Sequence, residues 1–303
     1  MTDTTNTEPS TPPRSQWYDV WHQFKAHKGA LLGGIVFLVI VFGVFIGPLL
    51  WPYDATYIDI RSRNQGPSLA NPFGTDQLGR DLLARMMAGG QTSIAVGLTA
   101  MLLALGLGSF VGIIAGFFKK LDGPLMRLTD LFLALPILPL LLVMMMLFRE
   151  PLSAAVGPER GIFILIVIAI GITSWMPTAR IVRGDVLALK EREFVLAARS
   201  IGTSNKNMIT RHILPNVLSP IMVSATLGIA NAIITESALS FLGLGFPPDF
   251  PTWCRLLNDA VQYLQDYPER VFWPGLAISL TVLSVNYLGD GLRDALDPRI
   301  RGR

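Results

Sequence analysis

Six long apolar runs divide the chain of 303 residues, and they limit what it can fold into more than any other feature. A helix needs about 17–25 mostly apolar residues to cross the hydrocarbon core of a bilayer. Because lipid offers the backbone no hydrogen-bond partner, runs of this length cross as helices. The sequence therefore predicts an all-α integral membrane domain over residues 30–303. The predicted spans are residues 30–51, 93–118, 128–148, 161–177, 218–246 and 271–288.

Composition excludes several other classes of protein. Hydrophobic residues make up 51% of the chain, which is too apolar for a soluble domain of this size. The formal net charge of +3 is small and lies near the ends of the spans, so it indicates orientation and not nucleic-acid binding. The single cysteine, Cys254, rules out an internal disulfide and a multi-cysteine metal site. The sequence contains no HExxH, GxxxxGK[ST] or GxSxG motif, so we expect no catalytic residue and no metal site.

Basic residues between the spans predict the orientation of the chain, because short cytoplasmic loops carry excess Lys and Arg. They cluster in residues 119–127, in residues 180–217 and at the C-terminus. These segments and the N-terminus are predicted to be cytoplasmic, which requires an even number of spans.

Residues 1–29 are expected to lie outside the membrane domain. Residues 1–15 are rich in Thr, Pro and Ser, which is typical of a disordered tail. They lack the apolar core of a signal peptide. Aromatic residues beside Lys25 and Lys28 predict a short amphipathic stretch at the inner membrane interface.

A polar segment, residues 193–215, separates the fourth span from the fifth and reads EFVLAARSIGTSNKNMITRHILP. It predicts two short helices: Gly202 ends the first, Ser204 caps the second, and Pro215 limits the second. Spacing of i, i+3, i+4 and i+7 places four mostly small residues on one face of the first helix, which lets another backbone come close. These residues are Phe194, Ala197, Ala198 and Ile201.

The order Ala197-Ala198, three residues, Gly202, then Ile213-Leu214-Pro215 resembles the EAA loop of the membrane subunits of bacterial ABC importers. In that family the loop is the coupling helix that docks into a cleft on a separate ATPase. Leu196 stands where the family has an acidic residue, and Glu193, one turn earlier on the same face, is the alternative. The residues alone also fit an ordinary amphipathic cytoplasmic loop. Within the predicted coupling loop, 187–217, the resemblance assigns ATPase coupling to Glu193, Ala197, Ala198, Gly202, Ile213, Leu214 and Pro215.

Three further stretches resemble the dipeptide/oligopeptide/nickel permease subfamily: NPFGTDQLGRDLLARMMAGG at 71–90, ESALSFLGLGFPPDFPTW at 236–253 and GDGLRDALDP at 289–298. One departure is Cys254, where the subfamily usually has glycine. The resemblance implies the type I ABC importer permease fold and the C-type subunit of a heterodimeric permease pair. It implies two ATPase subunits, which bind ATP and Mg, and a substrate-binding protein outside the membrane. The cargo would be di- or oligopeptides, or a similar small solute, crossing the bacterial inner membrane.

Within residues 71–90, Thr75 is predicted to cap a short amphipathic helix. Asp76, Arg80 and Asp81 invite a catalytic interpretation, but a solvated helix start with local ion pairs is the simpler one. In the second span, two overlapping GxxxG repeats predict a smooth strip for close helix packing.

Polar residues in the fifth span suggest a substrate pathway, because polar side chains in a span are costly and usually face protein or water. The candidates are Asn231, Thr235 and Glu236. Hydrogen bonding between helices explains the same residues without a pathway, and Glu236 could also lie at the outer interface.

Two other functions were weighed. A proton-coupled secondary transporter would show internal repeats and buried acids, whereas we find no convincing repeat and only Asp130 and Glu236 as acids near spans. A membrane-embedded hydrolase would need paired acids, or His and Cys, at one depth, and the sequence offers none.

Overall fold

The computed structural model describes residues 16–247 and 250–296. Six helical runs in this part of the chain are long and apolar enough to cross a membrane, which confirms the predicted all-α fold. The predicted disordered tail, 1–15, and the last basic residues, 297–303, lie outside the described residues. The helices are α1 Gln16–Ala26, α2 Lys28–Leu50, α3 Leu82–Phe117, α4 Lys119–Ala134, α5 Ile137–Val156, α6 Pro158–Lys190, α7 Glu193–Ser200, α8 Asn205–Asn207, α9 Leu214–Phe241, α10 Trp253–Val261 and α11 Glu269–Leu296.

Helices α3 and α6 form the central pair of the bundle. Glycines of α3 lie directly against the α6 backbone: a Cβ atom added at Gly108 or at Gly112 would come within 2.6 Å of a carbonyl oxygen of α6. No side chain fits at such distances, so the close packing predicted from the GxxxG repeats is confirmed. Helix α6 is about 50 Å long at 1.5 Å per residue, and it therefore continues beyond a hydrocarbon core of about 30 Å.

The third predicted span, 128–148, is broken in the structure. Helix α4 ends at Ala134, Leu135 is extended, and α5 begins after Pro136. Proline lacks the N–H that a helix needs and disfavours helical geometry in the residue before it. The break therefore follows from Pro136, and the membrane-length helix is α5, further along the chain than predicted.

Residues 149–160, which the predicted spans leave as a loop, are almost entirely helical, so this prediction is wrong. Helix α5 continues to Val156 and α6 begins at Pro158, so that Gly157 alone separates them. Gly157 has a φ of +92°, a backbone conformation that favours glycine and ends a helix at once. Proline in the first turn of α6 loses no helical hydrogen bond.

A polar cap, formed by residues 53–81, α10 and the first turn of α11, covers one end of the bundle. The Phe73 and Trp273 rings stack with centroids 3.9 Å apart, and Trp253 Nε1 donates to the carbonyl oxygen of Met86 at 2.8 Å. These contacts join segments that are far apart along the chain into one apolar layer beneath the cap.

The helix start predicted at Thr75 is wrong as well. Asp81 is the N-cap of α3, because its Oδ1 accepts a hydrogen bond from the N–H of Ala84. Gly79 has a φ of +75° and turns the chain just before this cap. The Thr75 hydroxyl instead bonds to loop backbone, accepting from the N–H of Gln65 at 3.0 Å.

Candidate functional site

The segment between α6 and α9 folds as two helical pieces joined by a glycine turn. Helix α7 ends with Ile201 as its C-cap, and Gly202 follows with a φ of +82°. Ser204 caps the next helix, since its Oγ accepts from the N–H of Asn207. The predicted helix end and the predicted cap are confirmed.

Pro215 does not limit the second helix. Helical structure continues from Asn205 to Phe241, and a π-helical turn, Met208–Ile213, lies just before the proline. In this turn the N–H of Leu214 reaches back to the carbonyl oxygen of Ile209, one residue further than in an α-helix. The wider turn accommodates a proline ring that would clash with the preceding turn of a regular helix. The coupling segment is thus continuous with the membrane helix α9.

One side of α7 packs on this chain's own core. Val195 and Ala198 are buried, with Ala198 only 6% exposed. They belong to an apolar cluster that includes the ends of α3, α6 and α9, and Leu214 packs against this cluster. Its buried members are Ile113, Val182, Val186, Val195, Ala198, Met208, Ile213 and Val217. Ala198 is therefore covered by this chain's own side chains, which corrects the prediction that the four spaced residues form one docking face.

The opposite side of α7 is open and apolar. We call the exposed residues Glu193, Phe194, Leu196, Ala197 and Ile201 the exposed α7 face. Ile201 is 84% exposed, although it follows the helix at the end of the bundle and lies in no membrane-length run. Exposed apolar side chains outside the membrane-length helices are typical of a surface that binds another protein. Both Glu193 and Leu196 lie on this face, so the geometry is compatible with Glu193 taking the place of the family's acid.

Ion pairs tie the helices behind α7 together. Arg183 of α6 binds the carboxylate of Asp122 on α4 through two hydrogen bonds, and Arg180 pairs with Asp130. Hydrogen bonding from Arg183 holds the pKa of Asp122 below its usual range. Lys190 Nζ donates to the last carbonyl oxygens of α3 at 3.1 Å. These bonds hold α4 and the end of α3 to α6, which packs against α7.

The polar residues of α9 fall on two different faces. Asn231 is exposed, and Thr235 is half-buried, with its Oγ1 donating to the carbonyl oxygen of Asn231 at 2.8 Å. Glu236 faces the other way and is fully buried, where Ser240 Oγ donates to its Oε1 at 2.7 Å. The structure thus places Glu236 inside the helix packing and away from Asn231 and Thr235, and the hydrogen bond from Ser240 lies within α9 and does not join two helices.

Large apolar side chains share the side of α9 on which Asn231 lies. Leu227, Ile234 and Phe241 are all exposed. The described helices therefore leave this α9 face uncovered, with one amide and one hydroxyl set in an apolar strip.

Charged residues in the polar cap are buried, which corrects the interpretation of 76–81 as a solvated helix start. The local ion pairs are confirmed: Asp76 Oδ2 accepts from Arg80 Nε at 2.7 Å and from Arg85 Nη1 at 2.6 Å. Burial by itself would raise the pKa of Asp76, but the Arg80 N–H and both guanidinium groups lower it below its usual value. Sequence reasoning missed Arg85 as a partner, although its position three residues inside an apolar helix was a signal.

Sequence reasoning also missed Arg270 at the start of α11. Its Nη2 donates to the carbonyl oxygen of Thr75 at 2.7 Å and to Asn64 Oδ1 at 2.9 Å. It therefore fastens α11 to the loop that carries Asp76. Among the described residues, no three His, Cys, Asp or Glu side chains are grouped to hold a metal ion.

Comparison with known proteins adds family relationships to this geometry. Residues 104–302 match the family described as binding-protein-dependent transport system inner membrane component, and residues 15–67 match the N-terminal TM domain of oligopeptide transport permease C. The oligopeptide transport system permease protein OppC of Bacillus subtilis is 37% identical over 95% of this chain and 91% of its own length. The dipeptide transport system permease protein DppC of Alkalihalophilus pseudofirmus is 37% identical over 97% of this chain and 96% of its own length. The glutathione transport system permease protein GsiD of Escherichia coli is also 37% identical, over 95% of this chain and 92% of its own length.

Proposed function

The chain belongs to the family of binding-protein-dependent transport system inner membrane components and is a permease subunit of an ABC importer, and from this we propose that its cargo is peptides. The named cargoes of three relatives, oligopeptides, dipeptides and glutathione, are all peptides. Family membership excludes the proton-coupled secondary transporter considered from the sequence. The chain is a multi-pass protein of the bacterial inner membrane, and hydrolysis of ATP belongs to partner subunits.

The proposed assembly contains a second, homologous permease, two ATPase subunits and a substrate-binding protein. In this proposal ATP and Mg are bound by the ATPases and no cofactor is bound by this chain. In this assembly an ATPase docks on the exposed α7 face, and the mostly apolar, open character of that face supports this placement. The uncovered α9 face supports the place given to the second permease.

The proposed mechanism is alternating access driven from the ATPases. Nucleotide binding closes the ATPase dimer, which acts as a two-state element. Helix α7 moves with the cleft that holds it, and the buried contacts of Val195 and Ala198 pass this motion to α3 and α6. Because the segment continues into α9 without a break, the same motion reaches Asn231 and Thr235.

We propose that cargo passes along the α9 face near Asn231 and Thr235, with the rest of the path supplied by the second permease. Replacing both residues with leucine should reduce peptide uptake several-fold while the complex still assembles, because polar contacts to cargo are lost, whereas Asn231 is exposed and Thr235 only half-buried. Uptake of a labelled peptide into reconstituted vesicles checks this. The control is Glu236→Gln, which changes a side chain outside the proposed path. Unchanged uptake in the double variant would refute this path.

We also propose that both termini are cytoplasmic, as the placement of Lys and Arg suggests. Cysteines introduced at Ile60, Ala155 and Val261, all exposed, should react with a membrane-impermeant maleimide added to intact spheroplasts. Cys254 is buried and gives little background. Reaction at these positions only after the inner face is opened would reverse the orientation.

The peptide assignment is tested by purifying the whole assembly with its binding protein and identifying the bound ligand by mass spectrometry. We expect di- or oligopeptides in the binding protein. Recovery of another solute class as the ligand, with no peptide, would overturn the cargo proposal and leave family membership intact.

A further inference from the structure

A small cavity in the polar cap lies between the turn that precedes α3 and the helix α10. Its volume is about 180 Å³. The cavity is partly open to solvent and has room for several waters or one small ion. Its polar lining consists of Gln77, Arg80, Arg255, Asp259, Gln262 and Tyr263.

Positive charge exceeds negative charge around this cavity. Asp76 pairs with both Arg80 and Arg85, and Asp259 pairs with Arg255, so that three guanidinium groups share two carboxylates. Arg85 is only 2% exposed. Both Arg80 and Arg85 also act electrostatically on Asp259, on the opposite side of the cavity. A buried cluster of this kind is stable only if its charges are compensated.

Several guanidinium N–H groups of the cluster have no acceptor. Within the described part of the chain, Arg85 Nε and Nη2 make no hydrogen bond, although both atoms are buried; Arg85 lies behind Asp76 and does not line the cavity itself. Arg255 Nε lies 3.0 Å from Asp259 Oδ1 but is not aligned to donate to it. Buried donors of charged groups are normally satisfied. An anion in the cavity can accept from Arg80 and Arg255, which line it, and also offsets the excess charge, whereas water supplies only acceptors.

We propose that this cavity binds a small oxyanion, a carboxylate or a phosphate group, between the guanidinium groups of Arg80 and Arg255. Arginine presents N–H groups in a planar fork that fits two oxygen atoms of such a group. The carboxylate of Asp259 competes with the ligand for the same donors. The bound anion links the turn before α3 to α10 and holds the polar cap closed. This inference does not depend on the identity of the cargo.

The test is isothermal titration of inorganic phosphate, and separately of acetate, into the purified assembly with its ATPase sites filled by a non-hydrolysable ATP analogue. We expect one saturable site. Arg255→Gln should weaken binding at least tenfold, and Asp259→Asn should strengthen it several-fold, because it removes the competing carboxylate. Arg61→Gln changes an exposed arginine in the same cap and should leave the affinity as it is.

Loss of binding in Arg255→Gln counts only if the variant melts, without phosphate, at the same temperature as the wild type. The gain expected for Asp259→Asn cannot result from misfolding and gives an independent readout. Absence of a saturable site in the wild type, or equal affinities in all variants, would overturn the proposal. Repeating the titration in nanodiscs identifies the source: phosphatidylglycerol that blocks phosphate binding shows a lipid headgroup in the site, and an unchanged affinity shows a free anion.

Discussion

Ala197→Glu is expected to release the ATPases from the assembly or to separate ATP hydrolysis from uptake, while the permease itself stays folded. Ala197 lies on the exposed α7 face, so the new side chain is not forced into this chain's own core, and its repulsion from the exposed Glu193 one turn earlier is small. In a packed cleft of a partner it would be a buried, unpaired charge, which costs several kcal/mol. A coupling free energy between sites is typically about 1–3 kcal/mol, so this penalty is enough to abolish coupling. Co-purification of the ATPases and substrate-stimulated ATP turnover in vesicles measure the effect.

Two variants separate docking from folding. Ala197→Ser keeps the side chain small and should behave like the wild type. Ala198→Glu should also lose the ATPases, but for a different reason, because Ala198 is packed in the chain's own core and the charge displaces α7. We expect a lowered melting temperature for Ala198→Glu and not for Ala197→Glu.

Two further changes on α7 address the missing acid of the family motif. If Glu193 serves in its place, Glu193→Ala should weaken ATPase binding more than Leu196→Ala does. Equal loss of ATPase binding in Glu193→Ala and Leu196→Ala would show that Glu193 does not replace the acidic residue of the family motif.

Gly202→Asp should be milder than Ala197→Glu. Its Cβ would meet no atom within 4 Å, and aspartate tolerates a positive φ better than most residues. The expected loss of coupling is therefore partial, and the same ATPase assay measures it.

Asp76→Asn is expected to destabilise the permease by about 3–5 kcal/mol, the usual cost of removing one partner from a buried ion pair. The change keeps the size of the side chain but leaves the guanidinium groups of Arg80 and Arg85 without their shared carboxylate. The unfolding of the purified assembly, followed by heat or denaturant, measures the loss.

The matched control for this change is Asp266→Asn, which alters an exposed carboxylate near the same end of the bundle and should have almost no effect. Because the pKa of Asp76 in the folded protein lies below its ordinary value of 3.8, its stabilising effect is present at neutral pH. That effect is lost only as the pH falls through the lowered pKa. An Asp76→Asn assembly as stable as the wild type at neutral pH would show that the ion pairs carry no stability.

Features that depend on local sequence were predictable. The length of the apolar runs predicted six spans. Gly202 and Ser204 predicted the turn between the two helical pieces of the coupling segment. The glycine repeat of α3 predicted a close contact without identifying the partner, which is α6. Each of these follows from residues within one or two helical turns of each other.

Features that depend on distant contacts were not predictable. The pattern of α7 could not show that Ala198 faces inward and Ala197 outward, because that choice depends on α3 and α6. The sequence predicted a solvated Asp76, because Arg85 and the residues of α10 and α11 that cover Asp76 come together only in the fold. The π-helical turn before Pro215 is likewise a compromise between the proline ring and the packing of Ile213.

The claim that α7 docks on a separate ATPase is tested most directly by cross-linking from Ile201→Cys. The only native cysteine, Cys254, is buried, so a thiol at position 201 is selectively reactive. A cross-linker with one maleimide and one photoreactive benzophenone, attached to Ile201→Cys and illuminated, should join this position to an ATPase subunit in the intact assembly, with a yield that changes when ATP is bound. Val261→Cys, exposed in the polar cap, should give no such product. If Ile201→Cys reacts freely with a water-soluble maleimide in the intact assembly and never cross-links to an ATPase, α7 is not the coupling element.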